Sequence, residues 1–171
     1  MSSGASKPAH PGIESDDRGM LPLNARPLFT LSGQVGPAVE IGATAAGRRT
    51  IFPVDGGEFS GDRLRGIVLA GGSDHMLVRS DGVAVQDVRL TLRTHDDQLI
   101  YMSYRGLRHG PSEVMERLAK GEPVAPSEYY FRIVPTFETG CRSYEWLQRI
   151  IVVGVGRRLP RGPVYDLYEI L

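Results

Sequence analysis

Along most of the chain after residue 22, apolar residues alternate with polar or small ones, and a period of two predicts β-strands. Phe29–Val35 shows it first, and a turn at Gly36-Pro37 separates it from Val39–Ala43. The further predicted strands are Arg49–Val54, Leu64–Leu69, Asp74–Arg79, Val83–Thr94, Gln98–Arg105, Glu128–Glu138, Trp146–Val155 and Pro163–Ile170. Turns rich in Gly, Asp and Ser separate these runs, so the pattern predicts a meander of about ten strands.

An open layer of that many strands would leave unpaired edges, which natural proteins avoid by closing the sheet. We therefore expect an all-β, mainly antiparallel fold: a closed or nearly closed up-and-down barrel with one short helix at one end. The helix is predicted at Glu113–Lys120, with Ser112 as its N-cap and Gly121 as its stop. It would either cover a barrel end or simply connect two strands. A barrel of this size can enclose a small ligand.

The chain divides by composition into a tail and one domain. Residues 1–22 contain Ser, Gly, Pro, Asp and His with almost no apolar content, so they cannot offset their ordering entropy by burial. This predicts a disordered tail, which is either a solubilising segment, a pocket cover or an arm that binds a partner. Residues 23–171 are expected to form a single β-barrel domain.

Charge and cysteine usage narrow the class of partner. Lys and Arg together number 20, as do Asp and Glu, so no net field attracts nucleic acid or an anionic membrane. The single cysteine, Cys141, excludes an internal disulfide, and the longest apolar run, Ile150–Val155, is too short to span a bilayer. We expect a soluble cytoplasmic protein whose partner is a small molecule, with a homodimer left open.

The long strand around residues 86–94 has two chemically different faces. One parity is aliphatic, with Val88, Leu90 and Leu92, whereas the other carries Asp87, Arg89, Thr91 and Arg93. The polar parity faces either solvent or the barrel interior, where Asp87 and Arg89 would pair and meet a ligand. A two-residue hairpin loop at Asp96-Asp97 would set Arg89 opposite Tyr104 and Thr91 opposite Met102.

Several blocks of sequence resemble one family. They are Pro53–Gly61, Leu69–Asp74, Val78–Gly82, Asp87 with Arg89, Gly106–Pro111, Tyr129–Arg132, Phe137–Thr139, and Tyr144 with Trp146, Leu147 and Arg149. In this order and spacing they resemble, over residues 27–171, a family of small bacterial proteins called domain of unknown function 3237. The resemblance implies a β-barrel that usually stands alone in the cytoplasm, and it implies no particular reaction.

The chain departs from the family pattern at a few positions. His75 and Met76 stand where the family usually has an aromatic residue and Gln, Gln148 stands where it has Asn, and Leu90 stands where it has Tyr. If these positions line the pocket, this member takes a different ligand or performs a different reaction.

The sequence lacks the motifs of metal sites, nucleophilic hydrolases and phosphate-binding loops. The histidines have no metal-ligand spacing, no Gly-x-Ser-x-Gly elbow is present, and the glycine pairs join strands instead of preceding a helix. The cluster Arg157–Arg161 lies in a Pro/Gly turn and is interpreted as a solvated loop. We expect no metal and no cofactor.

Acid–base chemistry remains, because carboxylates, a histidine, arginines and tyrosines lie in or beside predicted strands. The candidate catalytic residues are Asp74, His75, Asp87 and Glu138. The candidate substrate-binding residues are Arg89, Tyr104, Tyr130, Arg132, Trp146 and Gln148. The sequence predicts a cofactor-free isomerase, hydratase, dehydratase or cyclase acting on a small cyclic or aromatic compound. The alternatives are a non-catalytic barrel that carries a hydrophobic metabolite, and an interaction protein whose barrel is filled by side chains.

Overall fold

The computed structural model describes residues 21–171, and the greater part of the predicted tail lies outside them. They form ten strands, one α-helix and two short 3-10 segments. The strands are β1 Ala25–Val35, β2 Val39–Thr44, β3 Gly47–Ser60, β4 Arg65–Val68, β5 Gly72–Val78, β6 Ala84–Thr94, β7 Leu99–His109, β8 Tyr130–Glu138, β9 Ile151–Leu159 and β10 Gly162–Ile170. Helix α1 is Ser112–Ala119, and the 3-10 segments are Pro126–Glu128 and Arg142–Arg149. The predicted all-β fold with about ten strands and one short helix is confirmed.

The sheet closes into an antiparallel barrel. Strands β1, β10, β9, β8, β7 and β6 pair in that order, β4 and β5 both bridge β6 to β3, and β3 pairs with β1. Because β4 and β5 meet successive parts of β3 and β6, they share one place in a ring of eight. Strand β2 lies outside the ring as an extension of β3.

Aliphatic and aromatic side chains fill one end of the barrel. Leu92, Ile100 and Met102 are fully buried there, and Phe29 packs between Phe59 and Phe137 at centroid distances of 5.6 and 6.1 Å. The 3-10 segment Arg142–Arg149 adds buried Tyr144 and Leu147 to the same core. The interior side of the long strand β6 is therefore the aliphatic parity.

The structure differs from the sequence predictions at the β6–β7 hairpin and at the start of helix α1. The β6–β7 loop has three residues instead of two, since the Thr94 amide donates to the Gln98 carbonyl and Asp97 has a positive φ of 63°. The register therefore moves by one, so that Arg89 pairs with Ser103 and Thr91 with Tyr101. Helix α1 starts at Ser112, one residue earlier than predicted, so its hydroxyl makes no cap and Pro111 is the N-cap residue.

The predicted strand Trp146–Val155 is shorter than expected. Its first residues belong to the 3-10 segment, and β9 begins only at Ile151. The two buried side chains of this segment, Tyr144 and Leu147, are three residues apart, which matches the three-residue repeat of a 3-10 helix. Residues 146–149 therefore belong to a 3-10 helix that buries one side chain per turn, although their apolar content suggests a strand.

Candidate functional site

The end of the barrel opposite the aliphatic core contains a cavity of about 390 Å³. Its wall combines apolar side chains with charged and polar ones. The lining residues are Val35, Ala38, Glu40, Arg48, Thr50, Phe52, Asp74, Met76, Val78, Gln86, Arg108, Met115, Leu118, Ala119, Phe131, Arg158, Pro163 and Tyr165. Since α1 contributes Met115, Leu118 and Ala119, the helix covers this end of the barrel. The cavity has the size and mixed lining of a small-molecule site.

Asp74 projects from β5 into this cavity. The β5–β6 pairing is interrupted between Asp74–Val88 and Leu77–Val85, and in this gap the Asp87 backbone amide donates to Asp74 Oδ1 at 3.2 Å. Burial raises the pKa of the Asp74 carboxyl to about 6, and this hydrogen bond and the nearby Arg108 only partly oppose the rise. Asp74 therefore exchanges a proton close to neutral pH.

Two tyrosines form a hydroxyl pair deeper in the barrel. The Tyr104 hydroxyl donates to the Tyr165 hydroxyl at 3.2 Å, and the rings meet edge to face at 5.4 Å. Burial is the main cause that raises the pKa of both phenols, and the carboxylate of Asp74 adds to it. Both tyrosines therefore stay protonated at neutral pH. Because Tyr104 donates its proton to Tyr165, it is the Tyr165 hydroxyl that retains a proton for a hydrogen bond to a ligand. A further space of about 30 Å³ touches Asp74, Tyr104 and Tyr165 together.

Gln86 is the most unusual polar residue of the interior. It is only 1% exposed, yet neither its amide nitrogen nor its amide oxygen has a hydrogen-bond partner within residues 21–171. Its neighbour across the β6–β7 ladder is Gly106, where an added Cβ would lie 3.0 Å from the Gln86 amide oxygen and 2.7 Å from Ile133. An unpaired buried amide is costly. Gln86 is thus part of the cavity wall, and its amide has unused hydrogen-bonding capacity.

Arginines from two strands complete the polar lining. Arg108 of β7 has a buried Nε without a partner in the described part of the chain, and its guanidinium lies 5.5 Å from the Phe131 ring centre. Arg158 of β9 points inward because it shares a face with Gly154 and Gly156. A Cβ at Gly156 would lie 2.6 Å from the Phe131 ring, so a larger residue at this position would clash with the ring.

Of the ten candidates from the sequence, the structure places Asp74 at the cavity and Tyr104 at the small space beneath it, which Asp74 also borders. Asp87 and Arg89 lie on the outer face of β6, where Arg89 Nη1 donates to Asp87 Oδ1 at 2.6 Å. Of the two orientations left open by the sequence, the polar parity is thus the one that faces outward. The aliphatic parity faces in because burying Val88, Leu90 and Leu92 is favourable, whereas burying the charged residues of the other parity would be costly.

The other six candidates also lie outside the cavity, in three different places. His75 follows Asp74 and so faces outward, with its Nε2 at 2.9 Å from Ser73 Oγ. Tyr130, Arg132 and Glu138 belong to the outer face of β8, where the Arg132 guanidinium lies 5.0 Å from the Tyr130 ring centre.

Trp146 and Gln148 lie in the 3-10 segment at the filled end of the barrel. The guanidinium of Arg63 stacks on the Trp146 ring at 3.4 Å, and Gln148 donates to the Thr139 carbonyl at 3.2 Å. Among the departures from the family pattern, only Met76 and Leu90 line cavity space.

Sequence reasoning missed Gln86, Arg108, Arg158 and Tyr165. Gln86 interrupts the aliphatic parity of β6, and Arg108 lies four residues after Tyr104 on the same face of β7. Arg158 was assigned to a solvated loop, but β9 extends to Leu159. The alternation Val152, Gly154, Gly156, Arg158 was the available signal for its inward orientation.

Within the described residues, two other cavities have no unpaired buried polar atom in their lining, although Arg158 borders one of them as well. A groove of about 550 Å³ lies beside α1 and Pro160, and a shallow one of about 700 Å³ lies over β3, β4 and β6. The buried unpaired side-chain atoms found in residues 21–171 belong to Gln86 and Arg108, which line the barrel cavity. Within those residues no three His, Cys, Asp or Glu side chains are grouped as metal ligands, and no helix is both long and apolar enough to cross a membrane.

The fold and the cavity define a small antiparallel β-barrel with a polar, ligand-sized interior space. The chain belongs to the family described as protein of unknown function DUF3237, whose model matches residues 23–170. It is 34% identical to a UPF0311 protein of Rhodopseudomonas palustris over 149 residues, which cover 87% of this chain and 97% of that protein. A UPF0311 protein of Clostridium acetobutylicum is 36% identical, with 86% and 94% covered.

Solved structures agree with this membership. A β-barrel-like protein of Acinetobacter baumannii superposes with a TM-score of 0.79 at 39% identity, covering 91% of this chain and all of that one. A protein described as an enzyme from Penicillium herquei reaches a TM-score of 0.68 at 20% identity, covering 88% and 96%. At that identity the last likeness shows the fold alone.

Proposed function

We propose that this protein is a cofactor-free enzyme that moves protons on a small cyclic or aromatic compound inside the barrel cavity. The observation that carries the proposal is the position of Asp74: a carboxyl group that titrates near neutral pH faces a cavity of about 390 Å³. Carboxyl groups suited to general acid–base catalysis have their pKa near the working pH.

The arrangement supports a simple proton-transfer sequence. At pH 7 Asp74 is mainly ionised, since its pKa is about 6. The carboxylate takes a proton from a carbon next to a carbonyl group, and the electron pair moves to the carbonyl oxygen as an enolate. The Tyr165 hydroxyl, which lines the cavity, or the Gln86 amide donates a hydrogen bond to that oxygen. The carboxylic acid then returns the proton to a different atom of the same molecule.

This sequence fits isomerisation, and its variants cover related reactions. If the returned proton releases a hydroxyl group the result is dehydration, and if the enolate or a hydroxyl of the substrate attacks within the same molecule the result is cyclisation. None of these steps needs an oxidant or a reductant. The description of the Penicillium herquei protein as an enzyme supports a catalytic use of this barrel fold.

A carrier barrel is the second candidate, and the apolar lining favours it. Phe52, Met76, Leu118 and Phe131 offer a surface on which a hydrophobic metabolite would pack without any reaction. In either case we propose a small molecule as the partner, no nucleic acid or membrane, and the cytoplasm as the location.

Deuterium labelling separates the two candidates. The protein is incubated in D₂O with a bacterial metabolite extract, and mass spectrometry follows both the masses and the amounts of the compounds. An acid–base enzyme converts one compound of the extract into another, and it adds solvent deuterium to carbon whenever the Asp74 carboxyl exchanges its proton with D₂O before returning it. A carrier retains a compound without labelling it.

Asp74→Asn is the decisive variant, and Asp87→Asn is its matched control on the outer face of the neighbouring strand. We expect Asp74→Asn to slow labelling by about 10²-fold or more and Asp87→Asn to leave it unchanged. Equal labelling by Asp74→Asn and the wild type would refute the catalytic role of Asp74.

A further inference from the structure

The charges that face the cavity do not balance. Its ionisable carboxylates and guanidiniums are Glu40 on β2, Arg48 on β3, Asp74 on β5, Arg108 on β7 and Arg158 on β9. Glu40 and Arg48 lie at the rim, 3.7 Å apart, and neutralise each other. Asp74 is therefore the remaining anion beside two cations, so the cavity has a surplus of positive charge, which grows when Asp74 is protonated.

Arg108 has weak partners for a buried guanidinium. Its Nη2 lies 3.6 Å from the sulfur of Met76, a poor acceptor, and its Nε has no acceptor within residues 21–171. It affects the pKa of Asp74 by its charge without a hydrogen bond to that carboxylate. Arg108 therefore lines the cavity with a guanidinium that has no strong acceptor within the described residues.

Arg158 extends inward from the neighbouring end of β9. Its Nη1 donates to the carbonyl of the adjacent Leu159 at 3.1 Å, and no carboxylate of the described chain forms an ion pair with it. Burial, followed by the positive charge of Arg108, lowers the pKa of Arg158. Two guanidinium groups thus repel each other at the cavity, an arrangement that a bound anion would relieve.

We infer that Arg108 and Arg158 together bind the carboxylate of a small aromatic or cyclic organic acid, the substrate of the acid–base reaction. This inference rests on the proposed function for the identity of the cavity as the reacting site. A planar guanidinium matches a carboxylate with two parallel hydrogen bonds, and the Phe131 ring beside Arg108 gives the ring of the acid an aromatic surface. Gln86, in the same cavity wall, is then the candidate partner of a polar substituent.

The test on the wild-type protein compares benzoate with benzamide, its uncharged equivalent of nearly the same shape. Binding is measured by calorimetry at pH 7 and constant ionic strength, with inorganic phosphate as a second anion. We expect benzoate to bind about tenfold more tightly than benzamide, because a charge-assisted hydrogen bond replaces a neutral one, and more tightly than phosphate. Equal affinity for benzoate and benzamide, preferred phosphate, or no benzoate binding would overturn the inference.

Variants then locate the bound carboxylate. Arg158→Gln and Arg108→Gln are each expected to weaken benzoate binding about tenfold. Arg158→Lys keeps the positive charge, so its benzoate affinity should fall by less. Arg105→Gln is the matched control, since Arg105 lies on β7 three residues before Arg108 but is 80% exposed on the outer face. Unchanged benzoate affinity in folded Arg108→Gln and Arg158→Gln would contradict the inference.

The two proposals fail separately. Benzoate binding that depends on the arginines, together with labelling that persists in Asp74→Asn, supports the carboxylate site and refutes the acid–base role of Asp74. Labelling that depends on Asp74, with no preference for benzoate over benzamide, supports the enzyme and refutes the carboxylate site.

Discussion

Asp74 and Asp87 have the same side chain on adjacent strands, but they face opposite sides of the barrel wall. The Asp87 backbone amide donates to Asp74, so the two residues are in direct contact. Asp87 points outward and is bonded by Arg89 at 2.6 Å, whereas Asp74 points into the cavity without an ion pair within residues 21–171. The side of the wall therefore decides whether an aspartate forms a surface ion pair or becomes a proton-exchanging group.

The largest expected effect comes from placing a new charge on each face of one strand. Met102 on the inner face of β7 is fully buried, and Leu107 on the outer face is 43% exposed. Met102→Asp should lower the free energy of unfolding by about 3–5 kcal/mol or prevent folding, because it buries an unpaired carboxylate. Leu107→Asp should cost less than about 1 kcal/mol in denaturant titrations. Similar losses for both variants would mean that the inner and outer faces are wrongly assigned.

Asp74→Asn should stabilise the protein at neutral pH by about 2 kcal/mol, discounted for the partial exposure of the side chain. The pKa of Asp74 rises from an ordinary 3.8 to about 6 in the folded state, so the folded protein holds an extra proton between these values. Relative to Asp74→Asn, the wild type should therefore lose stability as the pH rises from 4 to 6 and no further above that. Unfolding curves across this range measure the difference, and parallel pH profiles would contradict it.

Gln86→Leu should raise the free energy of unfolding by about 1 kcal/mol, because it replaces an unpaired buried amide by an apolar side chain of similar size. Thermal unfolding measures this gain. The same variant should bind substrate more weakly than the wild type. A destabilised Gln86→Leu would show that the amide already has a partner in the folded protein, such as a bound water.

The smallest effect is expected on the outer face. Asp87→Asn breaks the ion pair with Arg89, whose side chain is 52% exposed, so it should change the free energy of unfolding by less than about 1 kcal/mol. The change should shrink further in high salt. A loss of several kcal/mol that persists in salt would indicate that Asp87 is not a surface group.

The sequence predicts the strands well because their signal is local. Alternation and turn residues identify ten strands and the helix, and closure follows from the need to avoid sheet edges. Alternation alone does not tell which parity faces inward, since both β6 faces contain plausible partners. A loop one residue longer, with Asp97 in the left-handed region, is also enough to shift the β6–β7 register.

The site is less predictable because it is assembled from distant residues. Arg108 and Arg158 lie on β7 and β9 and share a cavity only because the barrel closes. Gln86 occupies an inward position where burial rules predict an apolar residue, and such local inconsistencies are frequent at functional sites. The sequence motif identifies Asp74 as a candidate. The burial that raises its pKa depends on residues of other strands, so the motif alone does not predict it.

The most direct test of the central claim is an NMR titration of the Asp74 side-chain carboxyl carbon in the wild-type protein, assigned by comparison with Asp74→Asn. We predict a midpoint near pH 6, since burial in the cavity raises the pKa to about that value. A midpoint near 3.8, the ordinary value for this side chain, would show that Asp74 is exposed to water or neutralised by a cation, and would contradict the proposed acid–base site.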